Sequence, residues 1–280
     1  MTWTVLDAGA LVTVQDAGRP GFAHLGVPRA GWLDPPAARL ANRLVGNDEN
    51  AALLEVTLGG LSLRCEREGW FAVTGAECSV DVDGTARAHG QAEWLPAGST
   101  LRLGRARVGV RSYLAVSGGI DVETVLGSRS TDTLAWVGPP RIEAGTVLPL
   151  GRPTSRPRPL DVPAPARTGP LRLDPGPGIE WFADDAIDRL CAATYAVAVH
   201  SDRVGMRLHG APIERRRDDE LASQGMVLGA VQIPPDGLPV VFLADHPTTG
   251  GYPVLAVVRA DDLAQCAQLR SGDQVRFRRA

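Results

Sequence analysis

Glycine and proline divide most of this 280-residue chain into short segments rich in β-forming residues. Its 32 glycines and 22 prolines interrupt the apolar runs before these reach the length of an ordinary helix. The segments with the clearest strand pattern are 71–74, 80–83, 101–103, 108–116, 195–199, 229–233, 239–243 and 274–277. Many short strands separated by such turns predict a mainly β protein built from barrels or sandwiches.

Three stretches of the sequence predict helices instead. The first begins with Asp34 as its N-cap and Pro35 in its first turn, and it stops at Gly46-Asn47. The other two are expected near 181–191 and 261–270. These helices are too few for a fold that alternates strands and helices, so we expect a mainly β chain with a few short helices.

The segment 152–170 is dense in proline and has no apolar period, which predicts an extended linker. It divides the chain into a predicted N-terminal domain over 1–151 and a C-terminal domain over 171–280. Both parts are long enough to fold around a core of their own.

Composition excludes several classes of partner and location. A net charge of -3 gives no broad basic field, so we expect no nucleic-acid partner. No apolar run approaches the roughly 20 residues that a membrane span needs, and residues 1–5 lack a signal-peptide layout. We therefore expect a cytoplasmic protein that does not contact a membrane.

The four cysteines have no spacing typical of a metal or disulfide site, and they are Cys65, Cys78, Cys191 and Cys266. No metal site is predicted. The chain also contains no lysine, so all 29 of its basic residues are arginine. This absence excludes Schiff-base chemistry, a lysine base and a phosphate-binding P-loop lysine from this chain. Nucleotide phosphates would need arginine, backbone amides or another chain.

The first candidate site is a glycine-bent loop that carries an amide, a carboxylate and a guanidinium, in Gln15, Asp16 and Arg19. Arginine can bind a carboxylate or phosphate through two hydrogen bonds, and Asp16 could orient it or a reacting amide. The alternative is a salt bridge between Asp16 and Arg19 within the turn. His24 follows and could act as acid or base near neutral pH, or could be structural.

A second candidate is Gly127-Ser128-Arg129-Ser130-Thr131-Asp132, where hydroxyls and an arginine lie in a turn. Ser128 and Arg129 offer several donors to an anion or a urea-like amide. A turn stabilised by its own hydroxyl groups is the alternative.

The predicted C-terminal domain contributes two further loops. Asp202 and Arg203 could bind a substrate or simply join two strands. The run from Asp245 to Tyr252 contains Thr248, Thr249 and two glycines, which let a ligand approach the main chain. We predict Asp245 as catalytic, with Asp16, Arg19 and His24. Predicted substrate contacts are Gln15, Ser128, Arg129, Asp202, Arg203, Thr248, Thr249 and Tyr252.

Several blocks of sequence resemble, in order, the family known as allophanate hydrolase subunit 2, the 5-oxoprolinase C subunit or biotin-dependent carboxyltransferase. They are residues 13–28, 31–34, 40–47, 54–60, 73–76, 117–122, 125–132, 173–177, 201–208, 230–237 and 243–253. The resemblance runs from about residue 5 to 278. The chain departs from it at Pro139-Pro140-Arg141-Ile142 and at His246-Pro247, where family members commonly have Arg-Gln. No role is therefore carried over to position 246.

The resemblance implies two β-barrel domains, of which at least the C-terminal one is cyclophilin-like. It implies an amide-bond hydrolase component, working with a B-subunit or subunit-1 (KipI-like) protein and a third protein in ATP-dependent hydrolysis of 5-oxo-L-proline to glutamate. ATP would act through the complex, on a small amide substrate. One alternative is a component of a urea carboxylase that takes CO2 from carboxybiotin on another protein. The other is a KipA-like regulator that binds a kinase inhibitor.

Two expectations concern assembly. At least two of the polar loops are predicted to line one cleft, with Asp245, Thr248 and Thr249 facing Asp16 or Arg19 of the same chain or of a neighbouring copy in a homo-oligomer. Apolar residues expected at the surface could form the core of an interface with a partner protein, and they are Trp3, Phe22, Trp32 and Tyr252.

Overall fold

A computed structural model describes residues 2–157, 168–217, 219 and 221–280. The described residues form two compact units. The first unit takes its residues from 1–19, 30–132 and 136–166, and the second takes its residues from 20–29, 133–135 and 167–280. The short segments 20–29 and 133–135 therefore fold with the second unit although they precede 152–170 in the chain. Most of the predicted linker, residues 158–167, lies outside the described residues.

The first unit contains eleven antiparallel strands among its described residues. They are β1 (Thr2–Ala8), β2 (Leu11–Gln15), β3 (Leu53–Thr57), β4 (Leu61–Cys65), β5 (Gly69–Glu77), β6 (Val80–Val82), β7 (Thr85–Arg87), β8 (Ala92–Leu95), β9 (Thr100–Leu103), β10 (Val108–Val116) and β11 (Val147–Pro149). One sheet has the order β11-β1-β4-β9-β6-β7, and the other has the order β2-β3-β10-β5-β8.

The core of the first unit lies between these two sheets. Alternate residues of strands in both sheets, such as Val5 of β1 and Val12 and Val14 of β2, belong to one buried apolar cluster. The described strands thus form a sandwich, whereas the resemblance implied a barrel here. Alternation along short strands specifies a buried face but does not determine whether the sheet closes on itself.

Helix α1 (Pro35–Leu44) covers the outer face of the five-stranded sheet. The Asp34 carboxylate accepts a hydrogen bond of 3.1 Å from the Ala37 amide, so the predicted N-cap is confirmed. Ala38, Ala41 and Leu44 pack against the sheet together with Trp32. Trp3 is buried in the sandwich core. The prediction that these two tryptophans are exposed interface residues is therefore wrong, because both are buried in the first unit.

The second unit is a closed barrel of seven strands, which confirms the barrel predicted for this half. Its order is β12-β19-β16-β17-β14-β13-β20, and β12 and β20 close it as a parallel pair. A two-stranded sheet, β15-β18, is separate. The strands are β12 (Leu171–Pro175), β13 (Thr194–Val197), β14 (Gly205–His209), β15 (Gln224–Gly225), β16 (Ala230–Gln232), β17 (Val240–Phe242), β18 (Thr249–Gly250), β19 (Val254–Val258) and β20 (Gln274–Arg279).

The helices of the second unit are shorter than the sequence predicts. Helix α2 (Ala186–Ala192) follows a 3-10 turn over Ile179–Trp181. Helix α3 (Leu263–Cys266) follows another over Ala260–Asp262, and the residues after it form turns with i to i+3 hydrogen bonds. None of the helices in the described part of the chain has the length and apolar composition needed to cross a membrane.

Candidate functional site

In the first unit, the carboxylate of Asp16 organises a loop that comes from far along the chain. Asp16 follows β2 directly, and its Oδ1 accepts hydrogen bonds from the hydroxyls of Ser128 (2.5 Å) and Ser130 (2.7 Å). The same oxygen accepts from the amide of Gly18 (2.8 Å), and Oδ2 accepts from the amide of Arg129 (2.6 Å). Neutral hydroxyl and amide groups thus stabilise a buried negative charge.

Arg19 stabilises the same loop through its carbonyl groups. Its Nε donates to the carbonyl of Val125 (3.3 Å) and its Nη2 to the carbonyl of Ser130. Gly138 lies against this guanidinium, since a Cβ added there would be 2.8 Å from Arg19 Nη2. The side chain is almost fully buried. These contacts favour a positioning role for Arg19.

The remaining predicted residues of the first unit brace the same region. The amide nitrogen of Gln15 donates to the carbonyl of Thr131 (2.8 Å), and its buried Oε1 has no hydrogen-bond partner among the described residues. Arg129 donates from Nε to the carbonyl of Val122 (2.7 Å) and pairs with Asp121 (2.8 Å). The structure therefore brings Gln15, Asp16, Arg19, Ser128 and Arg129 together in one cluster.

In the second unit, Asp245 is the centre of a buried charged cluster. Its two oxygens accept a bidentate pair of hydrogen bonds from Arg203, at 2.8 and 2.9 Å. Its Oδ2 also accepts from the amide (2.9 Å) and the hydroxyl (2.7 Å) of Thr133. Arg203 and Asp245 are both buried, so this ion pair is shielded from water. The arrangement holds the loop after β17 in place.

Two of the histidines of the second unit, His24 and His246, lie in different environments. His24 is exposed in a 3-10 turn over Ala23–Leu25, and its Nδ1 lies 3.0 Å from the carbonyl of Gly21. His246 is buried, and its Nδ1 lies 2.8 Å from the carbonyl of Pro247. Burial lowers the pKa of His246, and the charge of Arg29 lowers it further. Its imidazole is therefore neutral at pH 7.

The loop after Asp245 forms a small sheet rather than a free turn. Thr249 and Gly250 pair with β15, and the carbonyl of Thr248 accepts from the amide of Met226 (2.9 Å). Nε2 of Gln232 donates to the carbonyl of Tyr252 (3.0 Å). The same nitrogen lies close to Gly250, since a Cβ added there would be 2.9 Å from it. The Thr249 and Tyr252 side chains stay exposed.

Asp202 has a local role in the turn before β14. Its Oδ1 accepts from the amides of Val204 (2.8 Å) and Gly205 (3.1 Å), which stabilises its own turn. Among the predicted residues of the second unit, Arg203 and Asp245 contact each other directly. The shared cleft between the polar loops stays a prediction.

Sequence reasoning missed a buried polar group on the outer face of the five-stranded sheet. The Tyr113 hydroxyl donates to Glu55 Oε2 (2.9 Å), and Arg111 Nε lies 3.5 Å from Glu55 Oε1. Burial raises the pKa of Tyr113 well above its usual value, and the Glu55 charge raises it further. The signal was charged residues inside two otherwise apolar strands, at Glu55 of β3 and Arg111 of β10.

Near Thr249, the reasoning also missed an apolar cluster that includes Met226, Phe242 and Val254. His246 lies beside it, with 6.3 Å between its ring centre and that of Phe242. Among the described residues, no group of three or more His, Cys, Asp or Glu side chains could hold a metal ion.

Known proteins match this chain over nearly its whole length. The chain is 40% identical over 279 residues to the 5-oxoprolinase C subunit of Escherichia coli, covering 98% of this chain and 89% of that protein. It is 33% identical to urea amidolyase of Saccharomyces cerevisiae, covering 96% of this chain but 16% of that longer protein. The crystal structure of TTHA0988 superposes with a TM-score of 0.89 at 40% identity, covering 99% of this chain and 55% of that one.

These matches confirm the resemblance of the chain to this family. The family described as carboxyltransferase domain, subdomain A and B, matches residues 25–279. That range includes both predicted loops of the second half and the 128–132 loop of the first. The chain belongs to this carboxyltransferase domain family.

Proposed function

We propose that this chain is the C subunit of a 5-oxoprolinase-type complex, which opens the ring of 5-oxo-L-proline to give glutamate with hydrolysis of ATP. The observation that carries the proposal is the 40% identity to a protein named as the 5-oxoprolinase C subunit, because the match covers 98% of this chain and 89% of that relative. A B-subunit protein and a third protein would complete the complex.

The chemistry of the reaction divides the predicted residues into two groups. Hydrolysis of a lactam requires donors to the amide carbonyl and a group that transfers a proton to the ring nitrogen. Asp16 and Asp245 are occupied by protein donors, so their contacts favour positioning. His24, Thr249 and Tyr252 keep exposed side chains and are the residues we assign to substrate. Catalytic roles for Asp16, Arg19 and Asp245 stay predictions.

ATP, when bound to the complex, would supply the driving force for ring opening through its hydrolysis. Because this chain has no lysine, arginine, backbone amides or another protein of the complex would hold the phosphates. The exposed Thr249 hydroxyl offers a neutral donor to the carbonyl of a small amide.

Reconstitution tests this proposal. The chain, its B-subunit protein and the third protein are purified and mixed, and glutamate released from 5-oxoproline is measured with and without ATP. We expect turnover that requires all three proteins and ATP. A complete, folded complex that releases no glutamate would overturn the proposal.

Two substitutions test the site within that assay. We expect Thr249→Ala to lower turnover roughly 100-fold, as when a preorganised donor is lost, and Tyr252→Phe to lower it less. Thr194→Ala is the matched control, because Thr194 is an exposed threonine of β13 outside the site. Lower melting temperatures with normal turnover for each folded molecule would instead assign these residues to the structure alone.

A carboxyltransferase function is the second candidate, because the family is named for that reaction and a urea amidolyase is 33% identical. Without lysine, this chain cannot itself carry biotin, so a separate carrier protein would be needed. Incubating the chain with carboxylated carrier and urea tests this function. Consumption of carboxybiotin that depends on urea would favour it over ring opening.

A further inference from the structure

Two segments of the first unit, residues 125–131 and the segment that begins at Trp136, have polar side chains inside and apolar side chains outside. Ser128, Ser130 and Thr131 are at most 1% exposed, whereas Leu126 is 40% and Trp136 is 52% exposed. Val125 is 36% exposed. The two serine hydroxyls are buried because they donate to Asp16, and the Thr131 hydroxyl donates to the carbonyl of Pro139 (2.9 Å). These hydrogen bonds do not explain why the outward positions carry large apolar residues, which water solvates poorly.

The backbone makes these apolar residues more unexpected. Val125 and Ser128 exchange both backbone hydrogen bonds, and the two residues between them, Leu126 and Gly127, have φ values of +52° and +77°. Asparagine followed by glycine is the usual pair in such a turn, because asparagine tolerates positive φ far better than leucine. Trp136 also has a positive φ, of +56°. A leucine and a tryptophan thus occupy positions where the backbone disfavours them.

The two stretches that carry these side chains converge on one group. The Arg19 guanidinium donates to the carbonyl of Val125, and it lies against Gly138, two residues beyond Trp136. Asp132 and Val137 are joined by a backbone hydrogen bond of 2.9 Å. We call the side chains of Val125, Leu126 and Trp136 the apolar patch. It stands on a backbone that Asp16 and Arg19 fix, so it is preorganised.

We propose that the apolar patch is the surface of this chain that the B-subunit protein covers. The relatives indicate the occupant. The TTHA0988 chain continues well beyond the part that matches, of which this chain covers 55%, and the Escherichia coli relative is by name one component of a larger enzyme. Polypeptide outside this domain therefore accompanies it in relatives. The inference rests on the proposed function, in which that polypeptide is the B-subunit protein.

The chemistry of the patch specifies its complement. An exposed tryptophan is the side chain that most often dominates the energy of a protein interface. The B-subunit protein should offer an apolar recess for the indole and for Leu126, with a carbonyl or carboxylate oxygen for the indole N–H. Trp3 and Trp32 cannot serve as such anchors, since both are buried.

Asparagine substitutions test the proposal without threatening the fold. Leu126→Asn and Trp136→Asn remove the apolar side chains and relieve the positive φ, so both variants should fold at least as well as the natural chain. Leu58→Asn is the matched control, because Leu58 is a leucine that is 42% exposed at a φ of +61° in another turn of the same unit.

Binding of each variant to the purified B-subunit protein of the same organism is measured by calorimetry. We expect Trp136→Asn to raise Kd about 30-fold or more, as for an anchor residue, and Leu126→Asn to raise it about 5-fold. The Kd of Leu58→Asn should stay within about 2-fold of that of the natural chain, since Leu58 is not part of the apolar patch. Light scattering on the chain alone checks for a second copy.

The outcomes separate this inference from the proposed function. If the natural chain binds the B-subunit protein and all three variants bind equally well, the patch assignment is overturned while the proposed function stands. A loss confined to Leu58→Asn overturns it as well. If Trp136→Asn instead converts a dimer of this chain to a monomer, the occupant is a second copy and the proposal fails. If the B-subunit protein does not bind the natural chain, the inference fails and the three-protein turnover assay decides the function.

Discussion

Asp16 of the first unit and Asp245 of the second are both buried carboxylates in loops that follow a strand, but the two charges are stabilised differently. Hydroxyls and backbone amides surround Asp16, whereas Asp245 forms a bidentate ion pair with Arg203. The Asp16 cluster therefore depends on the exact course of the 128–130 loop. The Asp245 cluster depends on one oppositely charged side chain. Loss of a dipole should be less harmful than loss of that charge.

Removing Arg203 should have the largest effect. Arg203→Ala leaves the Asp245 carboxylate buried without its cation, which should lower the free energy of unfolding by about 3 to 5 kcal/mol in urea titrations. The control is Arg259→Ala, which breaks a pair of similar bidentate geometry with Asp174 (3.1 Å) that is exposed. Because that pair is exposed to solvent, the change should have little effect on the free energy of unfolding. Equal costs would contradict the view that burial makes the difference.

Removing the charge of Asp16 should cost less. Asp16→Asn keeps the shape but turns one acceptor oxygen into a donor, which then faces the Arg129 amide or the two serine hydroxyls. We expect a loss of about 2 to 3 kcal/mol, as for buried donors left without an acceptor, measured by the same titrations. A cost above that of Arg203→Ala would reverse the comparison between the two clusters.

A smaller effect is expected from Gly138→Ala, which sharpens the view of Arg19 as a support for the loop. At a φ of +103°, the new Cβ would overlap the carbonyl oxygen of Ser130 and lie 2.8 Å from Arg19 Nη2. The loop must therefore shift, at a cost of about 1 to 3 kcal/mol. Gly127→Ala is the control, because it has a φ of +77° and nothing lies within 4 Å of the added Cβ. The difference in melting temperature between the two variants measures the combined cost of crowding the Ser130 carbonyl and the Arg19 guanidinium that bonds to it.

The smallest effect is expected for the pH dependence of stability, through His246, which follows Asp245 in the chain. Burial holds the pKa of His246 below its ordinary value of 6.5, so the unfolded chain binds more protons than the folded one as pH falls through that value. The stability due to neutral His246 is complete above pH 6.5 and is lost below it. We expect His246→Gln to flatten part of the acid limb of a stability-against-pH curve. His89, whose pKa burial also lowers, should contribute to the slope that remains. An unchanged slope in the variant would show that His246 titrates alike in both states.

The sequence predicted the features that depend on neighbouring residues. Asp34 and Pro35 determined the start of α1, and glycine spacing separated the strands correctly in both units. Features that depend on distant pairing were not predictable in this way. Strand alternation could not distinguish the sandwich of the first unit from a barrel. Nor could it show that Trp3 lies inside rather than at an interface.

In the candidate site, too, local features could be predicted from the sequence and long-range contacts could not. The polar loops were identifiable because hydroxyls, glycines and arginine occur close together in sequence. Their partners were not, since Asp16 bonds to Ser128 and Asp245 to Thr133, over separations that no local pattern encodes. The Glu55 cluster was visible only as charges in apolar strands.

The parallel pairing of β12 with β20 has a consequence for how the second unit forms. Leu171 pairs with Phe277, so the barrel cannot close until nearly all of its chain has left the ribosome. Closing so long a loop carries an entropic cost that must be met before the pairing stabilises anything, and contacts this distant in sequence slow folding. During synthesis, the edge of β12 that pairs with β20 therefore stays unpaired until β20 has been made, and β20 completes the barrel.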